Sequence, residues 1–207
     1  MKKSLLFLIS SSIIADASTD TAVFAGGCFW CMEPPFEKLN GVIDVVSGYM
    51  GGKIKNPTYK EVSRGNSGHR EVVRIVYDSK IISYDSLLTV FWQNVDPTDN
   101  GGQFADRGKQ YKTGIFYFNE EQRKAAELSK KALNRSKKFS KPVITEIIRA
   151  KTFYPAEDEH QDFYRTNPEY YRMYKMGSGR EKFLRITWTE NAKKEIDLRK
   201  KLAPLQY

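Results

Sequence analysis

Residues 21–31 read Thr21-Ala22-Val23-Phe24-Ala25-Gly26-Gly27-Cys28-Phe29-Trp30-Cys31. The first five are short and apolar and predict a buried strand. Gly26 and Gly27 punctuate it, and Met32 to Leu39 predicts a helix that stops near Gly41. Cys28 therefore stands where a strand gives way to a helix N-terminus. Unpaired N–H groups and the positive end of the helix dipole favour a thiolate there. Cys28 is then a candidate nucleophile, with a second thiol, Cys31, beside it. The alternative is a buried inert pair, or a disulfide that only staples the chain.

Outward from this stretch, strand and helix alternate. Gly41 to Tyr49 predicts a second strand, followed by a loop of turn formers to Pro57. Thr58-Tyr59-Lys60-Glu61 is a capping box that opens a short helix. His69 to Asp78 alternates charged and β-branched residues, a third strand with one face on a core, and Glu71 lies near its start. Ser83 caps a helix to about Val95, with Leu87, Leu88, Phe91 and Trp92 on its apolar face. Asp96 to Lys112 is a polar loop of a length that is usually functional or disordered. Thr113 to Phe118 is a fourth strand, Asn119 with Gln122 caps a helix to about Arg135, and Val143 to Ile148 is a fifth strand. Phe153 to Gln161 is rich in carboxylates, with a short helix after it that Asn167-Pro168 breaks. Residues 177–188 read as irregular, and Glu190 to Leu202 as a charged terminal helix. The expected class is α/β (α+β), a single domain.

The chain has 207 residues, 40% of them hydrophobic, enough for one packed core. Its net charge of +9 is spread along the whole length and accompanies no nucleic-acid-binding motif. That pattern predicts a solvated basic surface and no specific nucleic-acid partner. Two cysteines are too few for a disulfide scaffold. Residues 1–17 read as a signal peptide: Lys2 and Lys3, a short apolar core from Leu5 to Ile14, and a small-x-small site at Ala15-Asp16-Ala17. That core is too short to span a bilayer. Export is expected, with the bacterial periplasm as the compartment, where active thiols need a dedicated reductant.

Cys-x-x-Cys at a helix start is first a redox signature. A haem attachment site needs a histidine after the second cysteine, where Met32 stands. A structural zinc site needs two further close-spaced ligands, and His69 and His160 are far apart in sequence. A general thiol–disulfide oxidoreductase of thioredoxin type remains. Phe29 and Trp30, however, build an apolar wall between the cysteines, suited to holding a small apolar group beside sulfur.

Larger blocks now carry a resemblance. Gly27-Cys28-Phe29-Trp30, Gly48-Tyr49 with Gly51-Gly52, Asn56-Pro57-Thr58-Tyr59, and Gly68-His69 through Glu71-Val72-Val73 are similar to the A-type peptide methionine sulfoxide reductases. So are Asp106 with Gly108 and Gln110-Tyr111, and Tyr154-Pro155-Ala156-Glu157-Asp158-Glu159-His160-Gln161. The resemblance runs from about residue 21 to 170 in the family's order. It implies a monomer with a two-layer mixed β-sheet and a ferredoxin-like core. The catalytic domain would span 18–170, with a basic C-terminal extension over 171–207. It implies reduction of methionine-S-sulfoxide in peptides, oxidised proteins or the free amino acid, with no metal or organic cofactor. Cys28 would be the nucleophile and Glu71 the acid. Tyr49 and Tyr111 would hydrogen-bond the sulfoxide oxygen, Phe29 and Trp30 would hold the S-methyl group, and Asp106 would orient the substrate amide or the loop. Many relatives have glycine at the position of Cys31 and resolving cysteines near the C-terminus. This chain has Cys31 and no later cysteine, which implies a Cys-x-x-Cys variant that closes a Cys28–Cys31 disulfide, reduced by an external dithiol such as thioredoxin.

Overall fold

A computed structural model describes residues 18–190. The expected signal peptide and all but the first residue of the expected terminal helix lie outside these residues. The strands are β1 (Thr19–Ala25), β2 (Val42–Met50), β3 (Arg70–Asp78), the short β4 (Gly102–Gln103) and β5 (Asp106–Arg107), β6 (Gly114–Tyr117), β7 (Glu146–Arg149) and β8 (Tyr154–Pro155). The helices are α1 (Phe29–Glu37), α2 (Tyr59–Ser63), α3 (Tyr84–Trp92), α4 (Glu120–Arg135), α5 (Phe163–Thr166), α6 (Pro168–Gly177) and α7 (Arg180–Leu184).

The main sheet runs β7-β6-β1-β3-β2-β8, antiparallel except for the parallel β6–β7 pair. Within it, β1, β2, β3 and β6 with α1 and α3 form a β-α-β-β-α-β unit in the spatial order of a ferredoxin-like fold. Strand parity divides the core. Ala22 and Phe24 of β1, Val73, Ile75 and Tyr77 of β3, and Val45 and Tyr49 of β2 face one cluster with α1, α3 and α4. Val23, Ala25, Val72, Met50 and Phe116 face a smaller cluster behind the sheet, covered by Ile148, Ala150 and Phe153. The expected fold class is the observed one.

Local chemistry sets the boundaries. Thr58 and Glu61 form the expected capping box of α2. The Ser83 Oγ accepts the Ser86 N–H at 3.2 Å, and the Asn119 Oδ1 accepts the Gln122 N–H at 2.8 Å, opening α3 and α4. The 96–112 loop is ordered because its long polar side chains replace missing backbone partners. Gln103, fully buried, accepts the Asp96 N–H and donates to the Asp96 and Gly102 carbonyls, each at 2.8 Å.

The region 177–188 departs from its irregular reading. α6 runs to Gly177, α7 follows, and a π-helical turn spans Arg185–Glu190. Asn167-Pro168 ends α5 as expected, and Pro168 then opens α6, since a proline at the first helical position loses no hydrogen bond. α6 also crosses residue 170, where a separate extension was expected to begin. Among the described residues no helix is long and apolar enough to cross a membrane.

The β8 edge gives a test of the packing. A Cβ at Gly48 would lie 2.4 Å from the Tyr154 carbonyl oxygen and 2.5 Å from the Phe153 ring. Gly48→Ala is expected to lower the unfolding free energy by about 1–3 kcal/mol in a denaturant titration, the usual cost of overpacking.

Candidate active site

The helix dipole and strand parity bring the site together. Cys28 is the N-cap of α1, with extended backbone and no side-chain capping bond. Glu71 shares its face of β3 with Val73 and Ile75, so its carboxyl points into the helix layer, toward α1. Its register partner on β2 is Tyr49. The Phe29 N–H, the first of α1, donates to the Glu71 Oε2 at 3.1 Å. The helix N-terminus thus serves a carboxyl group.

That carboxyl is 1% exposed. Burial raises its pKa to about 8, against the pull of the Phe29 N–H bond, and nearby Asp106 raises it further. Glu71 is therefore mainly protonated at neutral pH. Cys28 is 7% exposed, and its thiol is pushed well above its ordinary value by burial, then by Glu71, Cys31 and Asp106. This corrects the expectation of a resting thiolate. The local helix end favours the anion, but burial beside carboxyl groups outweighs it. Both cysteines are free.

The remaining predicted residues gather here with different partners. Phe29 is buried against Tyr49, Tyr59 and His160. Trp30 is half-buried, stacks on Phe163 at 3.7 Å between ring centres, and donates its indole N–H to the His160 Nδ1 at 3.3 Å. Tyr111 is half-buried, its hydroxyl held protonated by burial and by Glu71. Tyr49, fully buried, donates its hydroxyl to the Glu157 Oε2 at 2.8 Å, a different acceptor from the expected sulfoxide oxygen. Glu157 also accepts the Tyr59 N–H at 2.7 Å, tying α2 to the late acidic block. Asp106 accepts the Tyr174 hydroxyl at 2.5 Å. His69 is a structural hydrogen-bonder: its Nδ1 accepts the Gly52 N–H at 3.2 Å and its Nε2 pairs with the Ile54 carbonyl at 2.8 Å.

Four groups of the site escaped the sequence reading. Tyr59 lies near Glu71, Cys28 and Tyr111. Tyr174 of α6 lies within hydrogen-bonding reach of the Cys28 thiol as well as of Asp106. Tyr171 lies near Cys31. Arg180 of α7 is fully buried, bonded to the Gly26 carbonyl at 2.8 Å and to the Asn94 carbonyl at 2.7 Å. Only the spacing of aromatic residues along Tyr170 to Tyr174 could have signalled that α6 faces the thiols.

A buried thiol beside a protonated carboxyl, walled by aromatic rings and hydroxyls, is an arrangement to compare with known proteins. The family model described as peptide methionine sulfoxide reductase matches residues 20–192. The chain belongs to that family. The peptide methionine sulfoxide reductase MsrA of Ligilactobacillus salivarius is 56% identical over 171 residues, covering 83% of this chain and 99% of its own. The MsrA of Bacillus licheniformis is 53% identical over 169 residues, covering 82% and 93%. Among solved structures, methionine sulfoxide reductase A of Corynebacterium diphtheriae superposes with a TM-score of 0.66 at 31% identity, covering 74% of this chain and 77% of its own. The family match thus includes α6 and α7, the elements that add Tyr174 and Arg180 to the site.

Glu71 gives a pH test. Its folded pKa lies above the ordinary carboxylate value of 4.5, so folding takes up a proton between about pH 4.5 and 8. The stability it contributes is full below that window and is lost as pH rises through about 8. In Glu71→Gln that loss disappears. The wild-type unfolding free energy, measured against the variant's, should fall between about pH 5 and pH 8 and level off above that.

Proposed function

We propose that this chain reduces methionine-S-sulfoxide, in peptides and as the free amino acid, with thiol as electron donor, and so repairs oxidised proteins. The observation that carries the reading is the buried Glu71 carboxyl, which accepts the N–H of the residue next to the buried Cys28; burial there favours its neutral form. Sulfoxide reduction needs a sulfur nucleophile and a proton for the departing oxygen. Cys28 attacks the substrate sulfur, Glu71 protonates the oxygen, and Tyr111 donates a hydrogen bond to it. Phe29 and Trp30 hold the S-methyl group by shape. Asp106 orients the substrate amide once Tyr174 releases it. Tyr49 reaches the oxygen only by leaving Glu157 and otherwise supports the wall. The Cys28–substrate S–S bond then breaks as the protonated oxygen moves to the Cys28 sulfur: Cys28 is left as a sulfenic acid, the substrate sulfur as a thioether, and the proton the thiol gave up returns to Glu71.

Cys31 then displaces that oxygen as water and closes the Cys28–Cys31 disulfide. Cys28 is the N-cap of α1 and Cys31 its third residue, with the Cys31 N–H bonded to the Cys28 carbonyl at 3.1 Å. These are the N-cap and N3 positions, whose side chains in a capping box each reach the other residue's backbone N–H; that closeness supports this Cys-x-x-Cys cycle. A disulfide product calls for an external dithiol such as thioredoxin. We also infer export, on the charge and apolar pattern of residues 1–17.

The test uses separated epimers of a methionine sulfoxide peptide with excess dithiol. Only the S epimer should be consumed. Cys28→Ser should abolish turnover, and Glu71→Gln should slow it by about 10²–10⁴-fold, the range for a lost general acid. Cys31→Ser should release one equivalent of methionine and stall when the dithiol is withheld. Reduction of a protein disulfide with neither epimer consumed would replace this reading with a general thiol–disulfide oxidoreductase.

A further inference from the structure

Arg180 is a large charged side chain, 1% exposed, with no carboxylate bonded to it among the described residues. Its Nη2 donates to the Gly26 carbonyl, its Nη1 to the Asn94 carbonyl, and the same Nη1 reaches the Met32 Sδ at 3.6 Å. The guanidinium carbon lies 4.6 Å over the Phe104 ring, and Phe104 holds a left-handed backbone conformation to present it. A Cβ on Gly27 would come within 2.7 Å of the Nη2. The guanidinium therefore touches the chain on both sides of the cysteine turn, at Gly26-Gly27 before Cys28 and at Met32 after Cys31. A buried cation satisfied only by neutral acceptors is costly and retains its field for a nearby anion.

We propose that Arg180 is a positioning residue of the resolving half-reaction: it fixes the turn that carries both cysteines and supplies the positive charge against which Cys31 ionises. The proposal rests on the Cys28–Cys31 cycle above. Around Cys31 stand Cys28 on its own helix, Glu71 from β3, Asp106 from β5, Lys175 and Tyr171 from α6, and Arg180 from α7. Burial and the carboxyl groups hold the Cys31 proton on; Arg180, then Lys175, draw it off. In the step itself the Cys31 thiolate attacks the sulfenic sulfur of Cys28. The S–S bond forms, the S–O bond breaks, and its electron pair leaves with the oxygen. That oxygen departs as water with the proton Cys31 gave up, so that Cys31 is oxidised and the sulfenic sulfur reduced.

The experiment mixes the reduced full chain with one equivalent of a methionine-S-sulfoxide peptide and no other thiol. Released methionine reports the first step. Sulfenic acid trapped by a 1,3-dione, against disulfide by mass, reports the second. At about pH 7, Arg180→Gln should slow disulfide closure relative to methionine release by about tenfold or more, the effect of one pKa unit on Cys31. The deficit should close as pH is raised toward about 10, where the Cys31 thiolate forms without help. Arg180→Lys, which keeps the charge, should keep the wild-type pH midpoint of closure even if both steps slow. Closure that keeps pace with release at every pH, a deficit that does not change with pH, or a shifted midpoint in Arg180→Lys would each overturn the proposal. If the wild type releases no methionine, the sulfoxide reading itself falls, a result distinct from any of these.

Discussion

The hydrogen bond from the Phe29 N–H to the Glu71 carboxyl is the contact on which the rest of the site depends. It joins the first turn of α1 to the start of β3, two elements 42 residues apart in sequence. Carboxylates that accept two or three N–H bonds stay ionised even when buried. Glu71 receives one, and burial wins, leaving an acid of pKa about 8. A single donor is what keeps this group able to give up a proton at neutral pH. A second would hold it as an anion and remove the acid from the site.

The same arrangement costs the thiol its charge. Cys28 occupies the N-cap, but the adjacent amide is engaged with Glu71 and the surrounding carboxyl groups oppose a second anion. The resting nucleophile is therefore a thiol. In the mechanism proposed above, a sulfoxide changes this balance, because its polar oxygen would accept the Glu71 proton as negative charge develops there. On this physics reactivity is conditional on a substrate in place.

Much of this was legible along the chain. Alternation in His69 to Asp78 put Glu71 on a strand, and parity then fixed which face it shared with Val73 and Ile75. The capping patterns at Thr58, Ser83 and Asn119 marked helices that form where expected. What stayed hidden was tertiary. The Cys28 ionisation was misread because the helix end is local, whereas Glu71 and Asp106 arrive from elsewhere. Residues 177–188 read as irregular because Gly177-Ser178-Gly179 looks like a break. Gly179 does turn the chain, in a left-handed conformation, but only to start α7 and drive Arg180 inward. A helix of five residues has no stability of its own, so its pattern carries little signal. Tyr174 shows no motif at all: its meaning is the Asp106 oxygen, which is 68 residues away in sequence.

On the proposed Cys28–Cys31 cycle, a fixed pocket and a resolving thiol that moves make opposed demands on one turn of helix, and the prolines of α1 bear on both. Pro34 and Pro35 lie inside α1 and have no N–H. In a regular helix those two amides would bond the carbonyls of Trp30 and Cys31, four residues earlier. On the proposed cycle, the segment that shifts to bring Cys31 to Cys28 carries the two carbonyls that lack these partners, and is held from within by the Cys31 N–H on the Cys28 carbonyl. It is held from outside as well, by Glu71 on the Phe29 amide, by His160 and Phe163 on the Trp30 ring, and by Arg180 on the Gly26 carbonyl. Those contacts hold Gly26, Phe29 and Trp30 from outside the helix, whereas the Cys31 peptide is bonded within the turn, to the Cys28 carbonyl. On that cycle the frame made by Glu71, His160, Phe163 and Arg180 can stay fixed while the Cys31 peptide exchanges its bond to Cys28, so the proposed disulfide within a single helical turn does not require the site to be dismantled.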